Sequence, residues 1–459
     1  MKHMTLKHIA EACHGIYIGD ERKLETEISG AVTDSRQVKE GYLFLPIKGA
    51  RVDGHDFIPA VAEQGAAAVL SERELADCAL PYIRVESTEQ ALKDIAEHYR
   101  SQLAIPIVGI TGSVGKTSTK EMIASVLSQK YKVLKTAGNF NNEIGLPLTL
   151  LRIRKEHQAA VVEMGISDFG EMHRLAKMAR PDICVITNIG ICHLENLKSR
   201  DGILKAKSEI FDYLKPEGHI VLNGEDEKLA TIQKVKGVQP VFYGPGREIY
   251  ADQIQNQGLE GVSAVIHTPK GCIKVNIPIP GEHNVSNAMA AAAVGLSLDM
   301  ELLDIQAGIE QVKAIGGRSN LMQCGSLQIL DDCYNANPVS MRASLDVLSS
   351  GTGRTVAVLG DMGELGEDEE QLHYETGAYV AQKKIDALFC AGSLSAQLAQ
   401  GARDGGMEQV FYFAKRQELI EHLLEFLKEG DAVLVKASHF MEYPKVVEAL
   451  KAREQIGQS

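Results

Sequence analysis

The stretch Gly109-Ile110-Thr111-Gly112-Ser113-Val114-Gly115-Lys116-Thr117 decides how the rest of the chain is read. An apolar run, Ile105-Pro106-Ile107-Val108, precedes it, and within residues 117–130 the apolar Met122, Ile123, Val126 and Leu127 recur at helical spacing. Strand, glycine loop and helix follow in that order. In such a context loop N–H groups and the positive end of a helix face phosphate oxygens, Lys116 supplies a point charge, and the Thr117 hydroxyl can ligate Mg²⁺. The strict Walker A spacing is not met, because Ile110 stands where that pattern has its first glycine. The intact Gly115-Lys116-Thr117 ending favours phosphate binding over the alternative, a glycine turn with a solvated lysine.

Outward from the loop, residues 103–314 alternate strand and helix, the pattern of an α/β sheet with helices on its faces. Ala159-Ala160-Val161-Val162 ends in Glu163-Met164-Gly165, and Ile183-Cys184-Val185-Ile186 ends in Thr187-Asn188-Ile189-Gly190, with His193 shortly after. Ligands of such sheets lie beyond the carboxyl ends of the strands, where Glu163 and His193 would stand. Mg²⁺ prefers oxygen ligands, which makes Glu163 the candidate acid; a solvated strand cap is the alternative. By themselves His193 reads as a turn histidine before it reads as a ligand, and Lys207, on a helix expected over 199–214, as a solvated lysine. Residues 238–280 read as an antiparallel insertion, after which Gly281-Glu282-His283-Asn284 leads into an alanine-rich helix over 285–298.

Residues 1–102 read as a small α/β unit with two polar loops, Thr33-Asp34-Ser35-Arg36 and Lys48-Gly49-Ala50-Arg51-Val52-Asp53-Gly54-His55. Turn formation accounts for their Asp and Gly residues as well as a ligand would. Residues 315–459 read as a second parallel sheet, Rossmann-like, with strands over 327–330, 355–359, 387–390 and 432–435. Gly316-Gly317-Arg318 marks the linker. Between the first of those strands and a helix over 338–348 stands Asp331-Asp332-Cys333-Tyr334-Asn335-Ala336-Asn337-Pro338. A capping role for Asn337 explains one of its polar residues, not all of them.

Length supports this division: 459 residues exceed one ordinary core, giving three domains at 1–102, 103–314 and 315–459. Hydrophobic content of 44% and charged content of 24% are those of a globular protein that needs no staples. A net charge of −13 argues against a nucleic-acid surface. Eight scattered cysteines without a Cys-x-x-Cys pair fit reduced thiols in a cytoplasm. No apolar run of about 18 residues occurs, so no membrane insertion is expected.

Taken together these segments resemble the Mur ligase family of peptidoglycan synthesis nearly end to end. The resemblance is carried by the two polar loops of the first domain; by Thr111 to Thr117, Gly138-Asn139-Phe140-Asn141-Asn142-Glu143-Ile144-Gly145, Glu163-Met164-Gly165, Thr187 to Gly190 with His193, Ala206-Lys207 and His283-Asn284-Val285 with Asn287; and by Gly317-Arg318, Asp331 to Pro338 and Leu359-Gly360-Asp361-Met362. It implies an ATP-dependent amide ligase. The segment Asp331 to Pro338 is the mark of the branch that joins D-Ala-D-Ala to UDP-MurNAc-tripeptide through an acyl phosphate. By the same resemblance Thr111, Gly112, Ser113, Val114, Gly115, Lys116 and Thr117 hold the phosphates of ATP. Thr117 and Glu163 ligate Mg²⁺, and His193 and a carbamylated Lys207 ligate a second. Asn284 and Asn287 contact adenine, and Arg318 and Asp332 the phosphates and ribose. Asp34, Ser35, Arg36, Gly49, Asp53 and His55 take the UDP end; Tyr334, Asn335 and Asn337 lie near the dipeptide. A monomer is expected.

Four positions depart from the family pattern. Lys436-Ala437-Ser438-His439 stands where many relatives have Lys-Gly-Ser-Arg, Cys333 where serine is usual, and Val114 where asparagine is common. A folylpolyglutamate synthase or the diamino-acid-adding Mur ligase would share the glycine loop but not Asp331 to Pro338. A silent nucleotide-binding scaffold would be expected to lack Lys116, Glu163 or His193.

Overall fold

A computed structural model describes the chain except Lys2, Ala50, Asp77, Ile191, His193, Thr352 and residues 457–459. Four sheets organise it. The first orders its strands Ile16–Ile18, Tyr82–Arg84, Ala68–Ser71, Tyr42–Phe44 and Gly30–Val32, parallel except for the first pair. The central sheet is parallel throughout, in the order Val241–Tyr243, His219–Asn223, Ile183–Ile186, Ile107–Thr111, Ala159–Glu163 and Val133–Lys135. Three of its four interior strands, Ile183–Ile186, Ile107–Thr111 and Ala159–Glu163, are buried along their whole length, which is why they read as apolar runs rather than as alternation.

The fourth sheet orders Asn320–Cys324, Leu327–Asp331, Ala432–Lys436, Thr355–Gly360, Ala387–Ala391 and Val410–Phe413, with only the first pair antiparallel. The expected antiparallel insertion is shorter than the sequence suggested. Only Tyr250–Asn256, Val262–Thr268 and Gly271–Ile277 form it, whereas Val241–Tyr243 pairs parallel to His219–Asn223 as an edge of the central sheet. A three-residue run between turns carries no mark of which way it pairs.

The first two sheets share a core. Leu43 and Leu92 belong to one continuous buried cluster with Leu150, Leu175 and Ile186. The helix Thr88–Ser101 makes the join, packing on Gly145–Leu150 and Glu171–Ala179. Its last turn is tied down by polar bonds, the Tyr99 hydroxyl donating to Ile153 O at 2.7 Å and Arg100 reaching Ala179 O at 2.7 Å and Asp182 at 2.9 Å. The C-terminal sheet is different. Its two faces have cores of their own, to which the rest of the described chain contributes only Leu259. One leucine side chain is worth about 1.5–3 kcal/mol of burial, a weak hold on a whole sheet. Among the described residues no helix is long and apolar enough to cross a membrane, and all eight cysteines are free thiols.

Candidate active site

The glycine loop leaves the central strand Ile107–Thr111 and enters the helix Lys116–Leu127 through Gly115, whose φ of 79° is left-handed and explains the glycine. A Cβ on Gly112 would lie 1.9 Å from Thr187 Oγ1, so that glycine is demanded by close approach of the neighbouring strand end. Asn188 braces the loop: its Oδ1 accepts from Ser113 N at 3.1 Å and Val114 N at 3.0 Å. The N–H groups of Gly115, Lys116 and Thr117 have no acceptor among the described residues and stand at a helix N-terminus, the arrangement that receives anions. Lys116 Nζ lies back on Gly112 O at 2.8 Å. Burial lowers its pKa; Glu163 and Cys192 oppose the shift and Arg318 adds to it.

Glu163 ends the adjacent strand and is 2% exposed. Its carboxylate accepts from Thr117 Oγ1 at 3.0 Å and Asn141 Nδ2 at 2.8 Å, and its backbone N–H donates to Thr136 Oγ1 at 3.0 Å. A buried carboxylate beside a hydroxyl at a phosphate loop is an oxygen donor set that suits Mg²⁺, which takes one or two carboxylates and completes its shell with phosphate and water. Lys120, fully buried one turn beyond Lys116, sets a second cation beside Glu163: its Nζ is 3.8 Å from Glu163, 3.3 Å from Glu121 and 2.9 Å from Thr136 O. Sequence reading passed over Lys120, although its spacing of four from Lys116 was a helical signal.

Lys207 is fully buried on the helix Arg200–Ser208, and its ammonium has no hydrogen bond or ion pair among the described residues. Burial and the charge of Lys116 lower its pKa to about 8. His193 lies outside the described residues. Lys116 thus stands between Arg318, which acts on it, and Lys207, on which it acts, an electropositive spot in an acidic chain that an anion would relieve.

The C-terminal sheet supplies the facing wall. Asp332 is buried, accepting from Ser319 N at 3.0 Å, Ser344 Oγ at 2.5 Å and Lys436 Nζ at 2.5 Å. Burial pulls its pKa up, but Lys436 and these donors outweigh it and hold the carboxyl below its usual range. Lys436 also donates to Asn335 O at 3.1 Å and Ser438 Oγ to Ala336 O at 3.3 Å, so both pin the backbone of the Asp332–Asn337 segment. Asp331 accepts from Gly317 N at 2.8 Å and closes the linker onto this sheet. The Arg318 guanidinium stacks 4.0 Å over the Tyr334 ring, whose other neighbour is His439 at 5.7 Å between ring centroids. Asn337 does cap the helix Pro338–Ser349, with a reciprocal bond to Ser340. Lys436 and Ser438 were missed as site residues because only the strand pairing brings them here.

Between the two walls lies a cavity of about 760 Å³ reached by all three regions of the chain, from Glu89 through Val114, Lys116, Thr117 and Glu163 to Arg318, Asp332, Tyr334, Asn335 and Asn337. Asn287 lines it too. Asn284 does not: its amide donates to Pro280 O and its carbonyl accepts from Asn287, whose own carbonyl takes the Thr119 hydroxyl. Thr111 and Gly112 sit behind the loop rather than on the cavity surface, and the Thr111 hydroxyl is buried without a partner among the described residues.

Asp34, Ser35, Arg36, Gly49, Asp53 and His55 lie away from this cavity. Arg36 forms a bidentate pair with Asp34 at 2.9 and 2.8 Å, and its bonds hold the carboxyl at a pKa of about 2. His55 is buried, with Nδ1 2.7 Å from Asp53 and Nε2 accepting from Glu72 N at 3.1 Å, a tie between loop and strand end.

Three family models match the chain: the Mur ligase middle domain over residues 110–295, the Mur ligase glutamate ligase domain over 317–439, and the Mur ligase family catalytic domain over 27–100. The chain belongs to the Mur ligase family. It is 40% identical to the UDP-N-acetylmuramoyl-tripeptide–D-alanyl-D-alanine ligase of Bacillus subtilis, over 97% of this chain and 98% of that one. The crystal structure of MurF from Acinetobacter baumannii superposes with a TM-score of 0.89 at 35% identity, covering 98% of this chain and 99% of that one. The MurF ligase of Thermotoga maritima, solved in complex with ADP, gives 0.80 at 28% identity over 93% and 98%. The likeness covers 98% of the chain and so includes both the central and the C-terminal walls of the cavity.

Proposed function

We propose that this chain is the cytoplasmic ATP-dependent ligase that joins D-Ala-D-Ala to UDP-MurNAc-tripeptide, giving UDP-MurNAc-pentapeptide. The observation that carries the reading is one cavity in which an anion-receiving loop, the Thr117–Glu163 pair and the Asp332–Asn337 segment face each other. A carboxylate is a poor acyl donor. Transfer of the γ-phosphoryl group of ATP to the tripeptide carboxylate makes an acyl phosphate, and the dipeptide amine then displaces phosphate. In this reading the N–H groups of Gly115 to Thr117 and the Lys116 ammonium hold the phosphates, while Arg318 approaches from the opposite wall. Thr117 and Glu163 would hold one Mg²⁺ and His193 with Lys207 a second, neutralising charge on the phosphates when bound. Asn287 borders the adenine pocket. Asn284 acts through Asn287 rather than by direct contact. Asp34 to Arg36 and the Gly49 to His55 loop take the UDP end.

Incubating the chain with ATP, UDP-MurNAc-tripeptide and D-Ala-D-Ala should release phosphate only when both substrates are present. Release without the dipeptide would assign another acceptor and overturn the reading.

A depressed pKa near 8 leaves an appreciable fraction of Lys207 as the neutral amine that reacts with CO₂, and the carbamate so formed is an anionic oxygen ligand. Crystals grown with bicarbonate should show density for a carbamate beyond Lys207 Nζ; a bare amine in that density would remove it from the metal set.

The domain edges are placed at 102/103 and 314/315, and the hinge between central and C-terminal parts at 313–316. Val312 is locked in the central core with Ala314 packed against it, whereas Ile315 O accepts from Arg318 N at 3.1 Å and Gly317 is tied to Asp331, so the chain changes sides within this short segment. Scattering in solution should show compaction with an ATP analogue and UDP-substrate together. An unchanged radius of gyration would count against closure.

A further inference from the structure

A second cavity, of about 400 Å³, opens beside the phosphate loop, a size within the ~300–1,000 Å³ typical of small-molecule pockets. Ser113, Val114, Asn188, Asn337 and Val339 line both cavities; Ile189, Gly190, Arg200 and Asp226 line only the second. We infer that this crevice seats the acyl acceptor, with Arg200 binding the free carboxylate of the dipeptide at the end remote from the phosphate loop. The inference rests on the ligase reading above and adds to it the place and polarity of the acceptor.

Charge decides the polarity. A dipeptide next to ATP must keep its carboxylate away from the phosphates and present its amine to the acyl phosphate. Arg200 is the cation of the crevice wall and takes no part in lining the larger cavity. Its Nε donates to Ile189 O at 2.9 Å, which fixes the guanidinium on the loop that also braces Ser113 and Val114. Nη1 meets Glu227, which is 72% exposed and readily displaced, and Nη2 has no acceptor among the described residues. The neighbouring carboxylate, Asp226, does not compete for Arg200: it accepts from Ile189 N at 2.7 Å, Lys228 N at 2.9 Å and Leu229 N at 3.1 Å.

The rest of the crevice suits two methyl groups. Val114, Ile189 and Val339 give apolar walls, and Val339 is 50% exposed in the first turn of its helix, where packing gives it nothing to do. Two residues span at most ~7 Å, enough to carry the amine from Arg200 to the shared wall. There the amine nitrogen bonds to the acyl carbon, the carbon–oxygen bond to phosphate breaks with its electron pair on the phosphate, and the amine proton goes to solvent.

The test compares wild type with Arg200→Gln and Arg200→Lys, measuring phosphate release with D-Ala-D-Ala and with its C-terminal carboxamide. Losing a charge-assisted bond to a carboxylate should raise KM for D-Ala-D-Ala by about 10- to 100-fold in Arg200→Gln, with KM for ATP and the UDP-substrate unchanged. Arg200→Lys should fall between, and the carboxamide should serve wild type and Arg200→Gln equally badly. Equal losses on dipeptide and carboxamide would mean that Arg200 acts only through Ile189, and an unchanged dipeptide KM would place the carboxylate elsewhere; either overturns the inference while leaving the ligase reading intact. A wild-type chain that shows no dipeptide-dependent release overturns the ligase reading, and the acceptor site with it.

Discussion

Lys116→Ala should fold normally and lose roughly a thousandfold or more in kcat. The two halves of that result have separate causes. In the free protein Lys116 is a desolvated cation whose ammonium bonds only Gly112 O among the described residues, and burial, with Arg318 adding to it, outweighs the support of Glu163 and makes its charge costly there. Removing it relieves strain rather than creating it, so thermal denaturation should show a midpoint equal to or above that of wild type. The same charge is worth most when the γ-phosphoryl group is in flight, because it then faces developing negative charge in a site closed to water. Glu163→Gln should act similarly on rate, through the metal it would hold, but should also loosen Thr117 and Asn141, whose donors it satisfies. Phosphate release by Lys116→Ala within tenfold of wild type would sink the assignment of the loop.

How much of this could be read from sequence depended on how far apart the cooperating residues lie. The phosphate loop was legible because strand, glycines and lysine are contiguous, and Glu163 because a strand end is a local feature. Arg318, Asp332, Tyr334 and Asn337 came from short segments flanking predicted strands. Lys436 could not come that way. It meets Asp332 across 104 residues because the strand Ala432–Lys436 pairs with Leu327–Asp331 in a register that sets Val435 against Asp331. Asn188 likewise reached the loop only through the pairing of Thr111 with Ile186. Asn284 was read from its motif as a ligand contact, yet the structure spends its amide on Pro280 and Asn287. The fusion of the first two cores through Thr88–Ser101 is also a tertiary property: the strand and helix pattern puts a domain edge near residue 102, but the packing runs on across it.

The buried pair of Lys436 and Asp332 gives the largest expected effect on stability. Lys436→Met keeps most of the side-chain volume and removes the charge, leaving Asp332 buried with only Ser344 and Ser319 N to solvate it. Breaking one side of such a pair typically costs about 3–5 kcal/mol. The pH dependence identifies the cause. In wild type the Asp332 carboxyl is held below its unfolded pKa, so its contribution is present above that value and is lost as pH falls through the folded one. Without Lys436 burial dominates and the folded pKa rises above the unfolded one. The penalty is then largest at neutral pH and eases as acid neutralises the group. Denaturant unfolding of Lys436→Met should therefore show a deficit at pH 7 that shrinks by pH 5. Adding Asp332→Leu should recover much of the loss, since replacing both partners removes the stranded charge. That double variant should remain inactive, because Asp332 and the pinned carbonyl of Asn335 belong to the cavity wall. A deficit independent of pH, or no recovery in the double variant, would mean that Lys436 stabilises the sheet by packing alone.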